Sequence, residues 1–246
     1  MSCLPVRDKD WVVGVKLSGS RLSLCRPFGN RKWFNIDSIP EAISPFSSLM
    51  FSKRDQKYYI PSPGGKHLCS LNLNFEDEEE DQPEIIDIEF DQLPKSVVAD
   101  LEDVTTCSRA DHLVESPTGE LFHVKWYGED LCEHYNGVSL MHKTQQFMVF
   151  RAEETGDCGD DDKTMVYTED IGDLCFFLGH GEALCVPASS SPGLRPNCIY
   201  FVGYSFGVYD LTTKTCTIFF GETGENKTEL LRNLEFPYWP LPLPLN

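Results

Sequence analysis

Residues 203–207 read Gly-Tyr-Ser-Phe-Gly, the G-x-S-x-G spacing with which hydrolases present a nucleophilic serine. That chemistry needs Ser205 on a sharp strand-to-helix turn, an imidazole to take its proton, and donors to hold an oxyanion. The run that follows, VYDL, is a strand pattern, so Ser205 is expected at a hairpin tip with no helix N-terminus behind it. GETGENKT at 221–228 imitates a phosphate-binding loop, but Asn226 stands where the pattern requires its second glycine.

Metal chemistry has equally little support. His67, His112, His123, His134, His142 and His180 form no H-E-x-x-H motif and no i, i+4 pair. Cys132, Glu133, His134 and His142 are the only local gathering of ligand types, and they read as a solvated loop. The segment 157–168 lacks the glycine and the terminal glutamate of a calcium-binding loop. No catalytic, cofactor-binding or metal residue is expected.

The ten cysteines, Cys3, Cys25, Cys69, Cys107, Cys132, Cys158, Cys175, Cys185, Cys198 and Cys216, include no C-x-x-C pair. With no apolar signal segment ahead of them they are expected as reduced thiols. Cys25, Cys69, Cys175, Cys185, Cys198 and Cys216 lie inside apolar runs, where a thiol behaves as a small hydrophobe. On the same reasoning the sequon Asn226-Lys227-Thr228 is a chance match.

In 246 residues, 21 Lys plus Arg face 39 Asp plus Glu, for a net charge of −18. Such a field repels a phosphate backbone or an anionic bilayer, so neither nucleic acid nor membrane is expected as a partner. Glu76–Asp81 and the Asp157, Asp160, Asp161, Asp162 group carry much of the excess and read as acidic loops near 76–82 and 156–163. Nothing in the sequence directs the chain out of the cytosol or nucleus, and an organellar address is expected only if an upstream leader is missing.

The elements that would position these residues are short β-branched or aromatic runs cut by Gly, Pro, Asn and Ser. Four groups follow one another. DWVVGVKL, RLSLCRP and RKWFNID form the first; SLMFSK, KYYIPS, HLCSLNL and EIIDIEF the second. HLVES, ELFHVKWY, QQFMVFRA and KTMVYTED make the third, and DLCFFLG, ALCVPAS, CIYFVGY, GVYDLTT and TCTIFF the fourth. A short helix near 95–104 opens at Pro94. One phrase, a strand, a glycine turn and a second strand, recurs around Gly19, Gly65, Gly119 and Gly207. Repeats of roughly 40 to 50 residues with four strands each indicate an all-β radial propeller of about four to five blades, in which each strand pairs with its sequence neighbour. A sandwich is the architecture that spacing alone leaves open.

Three stretches then carry a specific likeness. DHLVESPTGELFHVKWY, FMVFRAEE and IGDLCFFLGHGEALCVPASSSPGLRPNCIYFVGYSFGVYDLTT resemble, in order, the plant F-box-associated β-propeller family, the KIB-type propellers long catalogued as a domain of unknown function. DWVVGVKLSGSRLSLCRP and SLMFSKRDQKYYIPSPGG extend the likeness over most of the chain. Gly119 and Gly207 are expected at hairpin turns where positive φ is useful, Asp173 and Gly179 beside a buried strand, and Pro192-Gly193 in a turn before Cys198–Phe201.

On this reading the chain divides into a tail at 1–9, a partial propeller domain at 10–220 that lacks the F-box and an N-terminal part, and a Pro/aromatic tail at 221–246. The ring is left incomplete if the family needs more blades. The resemblance implies a non-catalytic protein-interaction module, similar to the substrate-binding half of plant F-box proteins, gripping an unknown protein partner through its loops. Without an F-box no ubiquitin-ligase adaptor is expected to bind. The alternatives are a serine hydrolase using Ser205 and a degenerate family member without a stable function.

Overall fold

The computed structural model describes residues 13–17, 21–25, 33–36, 48–71, 84–134, 138–153, 163–179, 181–203 and 206–220. The strand groups expected from the sequence are present within those bounds. A three-stranded sheet holds β1 (Val13–Leu17), β2 (Arg21–Cys25) and β3 (Trp33–Ile36). The next group holds β4 (Met50–Phe51), β5 (Tyr58–Pro61), β6 (His67–Leu71) and β7 (Glu84–Phe90). It is followed by α1 (Lys95–Asp103), then β8 (Ser108–Glu115), β9 (Leu121–His134), β10 (Val138–Glu153) and β11 (Lys163–Thr168). The last sheet comprises β12 (Leu174–Leu178), β13 (Leu184–Pro187), β14 (Cys198–Val202), β15 (Phe206–Asp210) and β16 (Thr215–Phe220).

Side chains of a strand alternate between faces, and here both faces of the central strands are apolar. Tyr58 and Ile60 of β5 pack with Leu22 and Leu24 of β2, while Tyr59 between them enters a second core with Leu113, Met148 and Phe150. Likewise Phe147 and Val149 of β10 join a third core with Phe176, Ile199, Phe201 and Tyr209. Each inner group is thus buried between two neighbours, as blades are. This is why KYYIPS and QQFMVF read as continuous apolar runs and not as strict alternation.

Two strand pairings differ from a chain in which every strand meets its sequence neighbour. β7 and β11 pair in parallel through Lys163↔Ile88, Thr164↔Glu89 and Met165↔Phe90, which merges the second and third groups into one eight-stranded sheet. β12 pairs in parallel with β14, and β13 lies on the outer side of β12. The chain must therefore cross from β13 back over to β14, and Asn197 fixes that crossing. At φ 55° it occupies the left-handed region that Asn tolerates better than most residues. Its Oδ1 accepts from the Ile171 N–H at 2.9 Å, and its Nδ2 donates to Glu169 O and Thr212 Oγ1, each at 2.9 Å.

Helix α1 starts where Pro94 was expected to open it, with the N–H groups of Val97 and Val98 donating to Pro94 O. Val97 is its buried residue. Among the described residues no helix is long and apolar enough to cross a membrane.

The glycine turns are only partly as expected. Gly64 (φ 94°), Gly65 (φ 67°), Gly119 (φ 86°) and Gly193 (φ 93°) use conformations that L-residues rarely adopt. Gly207 does not. It sits in β15 beside a register shift, and its glycine identity answers to close approach: a Cβ there would stand 2.7 Å from Thr217 O and 2.7 Å from Phe201 Cζ. Asp173 and Gly179 do flank the strand β12. The glycines at 19 and 29, both acidic loops and the 221–246 tail lie outside the described residues.

Candidate functional site

β8 and β9 pair antiparallel with Arg109↔Tyr127, Asp111↔Lys125 and Leu113↔His123 in register. Alternation puts these six side chains on one face, toward the β4–β7 group. The intervening Ala110, Val114, Phe122, Val124 and Trp126 join the core on the other face. Four ionisable groups thereby enter an otherwise apolar junction between two blades.

Asp111 is the hub. Its Oδ1 accepts from Nε2 of His123 at 3.0 Å; its Oδ2 accepts from Arg109 Nε at 3.2 Å and from the backbone N–H of Gly64 at 3.3 Å. The last bond ties the β5–β6 turn to the neighbouring blade. Gly65 lies against the His123 ring so closely that a Cβ would overlap Cε1 and stand 2.8 Å from Nε2. Arg109 also hydrogen-bonds the Tyr127 hydroxyl. Lys125 places its ammonium 3.9 Å from the centroid of the Phe90 ring and 5.1 Å from that of Phe150.

Burial pushes the Asp111 carboxyl upward, but the hydrogen bond from His123 and the charges of Arg109 and Lys125 outweigh it and hold it below the usual range. His123, 0% exposed, is driven down by burial, and the Asp111 carboxylate does not restore it. The pair is therefore an ionised carboxylate accepting from a neutral imidazole through Nε2–H, which leaves His123 Nδ1 a buried acceptor without a hydrogen-bond partner among the described residues. Lys125 falls to about 8, first through burial and then through the adjacent Arg109 charge.

The sequence candidates fall elsewhere. Ser205 lies outside the described residues; β14 and β15 on either side of it form an antiparallel hairpin, so a strand and not a helix follows the motif. The backbone of 132–134 and 142 is not a loop, as expected, but part of a long two-stranded ladder in which Leu140 pairs with Cys132 and His142 with Asp130. The extra inter-strand hydrogen bonds of that ladder override the polar composition. The side chains of Cys132, Glu133, His134 and His142, and all of His180, are outside the described set. Among the described residues no group of His, Cys, Asp and Glu side chains is arranged to hold a metal ion.

Among the described residues the cysteines are not joined in disulfides. Cys25, Cys69, Cys175 and Cys198 are buried, and Cys185 is half-buried. Burial raises Cys69 to about 11 and Cys175 and Cys185 to about 12, which suppresses the nucleophilic thiolate. Cys216 departs from expectation: it is exposed, because among the described strands β16 has a neighbour on one side only and most of its residues are exposed.

Reasoning from motifs missed the Arg109–Asp111–His123–Lys125 cluster. The available signal was ionisable residues two apart on both arms of an apolar hairpin, Arg109-Ala110-Asp111 and His123-Val124-Lys125.

Comparison with known proteins adds the family. A profile described as the KIB1-4 beta-propeller matches residues 1–219. No protein of curated function matches significantly. A solved structure described as a luciferin-regenerating enzyme aligns over 84% of this chain and 55% of its own, at 11% identity and a TM-score of 0.37. The chain thus spans about half the length of that structure's chain, and the likeness is too distant to carry function. Stacked groups of three to five strands, the inner two buried on both faces, and a match over nearly the whole sequence converge: the chain belongs to the KIB1-4 β-propeller family.

Proposed function

We propose that this propeller is a non-catalytic interaction module that binds another protein, as the substrate-binding half of F-box-bearing relatives would. The observation that carries the reading is the state of Asp111. Both oxygens of this buried carboxylate are occupied by His123, Arg109 and a backbone N–H, so the acid–base groups of the interior face one another and the scaffold. Catalysis would instead require a nucleophile, a base and an oxyanion donor converging on open space.

The surface supports the same conclusion. Trp33 on β3 is 54% exposed and Phe219 on β16 is 52% exposed. Both lie on strands at the end of their sheets, and large aromatics of this kind anchor protein interfaces. The charge of −18 favours a partner with a basic surface.

The test is capture by the immobilised purified chain, followed by cross-link mapping. An intact, chemically unaltered protein should be retained, with cross-links near β3 or β16, and a Trp33→Ser/Phe219→Ser variant should lose it. A fluorophosphonate probe run alongside covers the hydrolase alternative: covalent labelling that disappears in Ser205→Ala would overturn the proposal.

A further inference from the structure

The last sheet is apolar on both faces. Phe176, Leu178, Ile199, Phe201 and Tyr209 point one way, into the core shared with β10. Strand register places Leu184, Phe177, Tyr200, Val202 and Phe206 on the other face: Leu184 pairs with Phe177, Phe177 with Tyr200, and Val202 with Phe206. All five are half-buried.

The rings on this face form a fixed row. Phe177 and Tyr200 stack with centroids 4.9 Å apart and planes inclined by 13°. The Arg195 N–H donates to the Tyr200 hydroxyl at 2.9 Å, and Cys175 Sγ donates to Arg195 O at 2.9 Å, so the loop before β14 pins the Tyr200 ring. At the other end of the row Phe206 is backed by Phe219 at 5.3 Å, which stands at the rim. Rows of held aromatic rings are what proline-rich segments recognise, because polyproline geometry presents flat pyrrolidine faces and is already ordered before docking.

The chain carries such a segment. Residues 236–245 read FPYWPLPLPL, with four prolines, three aromatics and no charge, in a chain whose net charge is −18. They follow β16 of the same sheet, and the intervening residues 221–235 span at most about 50 Å when extended, so reach is no obstacle. From β12 across β14 to β15 is two strand spacings, about 10 Å, a distance that about three residues of polyproline helix cover. Tethering keeps the segment at an effective concentration that a foreign peptide must overcome.

We propose that the Phe177–Tyr200–Phe206 face of the last sheet is a docking site for the chain's own segment 236–245, which lies across it in polyproline geometry. The inference goes beyond the interaction role proposed above and does not rest on it.

The experiment builds a photoreactive residue into the full chain as Trp239→benzoylphenylalanine and irradiates it in dilute solution. Peptide mapping should find cross-links within the same chain, on 174–178 or 198–206. Adding Phe177→Ser/Phe206→Ser should abolish them, with circular dichroism reporting that the sheets are retained. If that variant does not fold, binding in trans decides. The full-length Tyr238→Ala/Trp239→Ala chain should bind an added 236–246 peptide saturably. The parent chain should bind it about tenfold more weakly, or less, because the tethered segment competes. A version of the peptide with its four prolines replaced by alanine should bind neither chain.

Cross-links confined to other sheets or joining two chains would overturn the proposal. Equal binding of the peptide by parent and variant, or equal binding of the proline-free peptide, would do the same. A foreign peptide, Pro-Leu-Pro-Pro-Leu-Pro, that binds the parent more tightly than the 236–246 peptide binds the variant would assign the face to a partner and overturn it too.

Discussion

Substituting alanine at Gly65 tests the inter-blade junction through one methyl group. Gly65 has φ 67°, so any L-residue there carries a left-handed penalty of roughly 1–2 kcal/mol. The added Cβ also overlaps the His123 ring, which is fully buried and cannot move aside without leaving Asp111. Loss of a hydrogen bond to a charged group costs about 1.5–3 kcal/mol. Together Gly65→Ala should lose about 2.5–5 kcal/mol, a large share of a typical domain's stability.

Gly64 provides the internal control. It also has positive φ, but its Cβ would meet only the end of the Arg109 side chain at 3.3 Å, so Gly64→Ala should lose about 1–2 kcal/mol. Urea unfolding followed by circular dichroism measures both. In a His123→Ala background the steric part vanishes, and the Gly65→Ala penalty should shrink to the backbone share. A Gly65→Ala effect no larger than Gly64→Ala, or one unchanged when His123 is removed, would refute the packing argument.

Asp111→Asn should destabilise by about 3–5 kcal/mol in the same assay, because Arg109 keeps its charge while losing its counter-ion. Glu182 gives a pH dependence. Burial raises its carboxyl to about 7, so the folded chain holds a proton that the unfolded chain releases near 4.5. Its contribution is fully present below that lower value and is lost as pH rises through about 7; Glu182→Gln should flatten the stability profile across this window. Gly207→Ala should cost about 1–3 kcal/mol, since Thr217 O is backbone and cannot yield, and a melting temperature equal to the parent's would contradict the close-approach reading. Maleimide labelling of the native chain should modify Cys216 well before Cys175 or Cys198, as peptide mapping would show.

The strands were legible because each is short, apolar and bounded by turn residues; HLVES, ELFHVKWY and CIYFVGY map directly onto β8, β9 and β14. Pairing was less legible. The β7–β11 and β12–β14 contacts join strands distant in sequence, and nothing local to EIIDIEF or DLCFFLG announces a parallel neighbour. Asn197 escaped notice for the same reason, since its role is to bond Ile171, Glu169 and Thr212 across a crossover.

Gly207 was assigned to a turn because the motif places it after a hairpin tip. In the fold Gly207 is the second residue of β15, and a neighbouring carbonyl sets the constraint. The polar cluster was hidden because motif reading seeks ligand types close in sequence, whereas Asp111 and His123 meet across a hairpin and receive Gly64 from another blade.

The central claim is that the interior's ionisable groups hold blades together and leave recognition to the surface. Nitrogen NMR of the labelled His123 ring tests it most directly. The account predicts a ring that carries its single proton on Nε2 at neutral pH and gains a second only below the ordinary histidine range, because burial disfavours the imidazolium. A ring that titrates freely near the ordinary histidine value, or carries its proton on Nδ1, would contradict it.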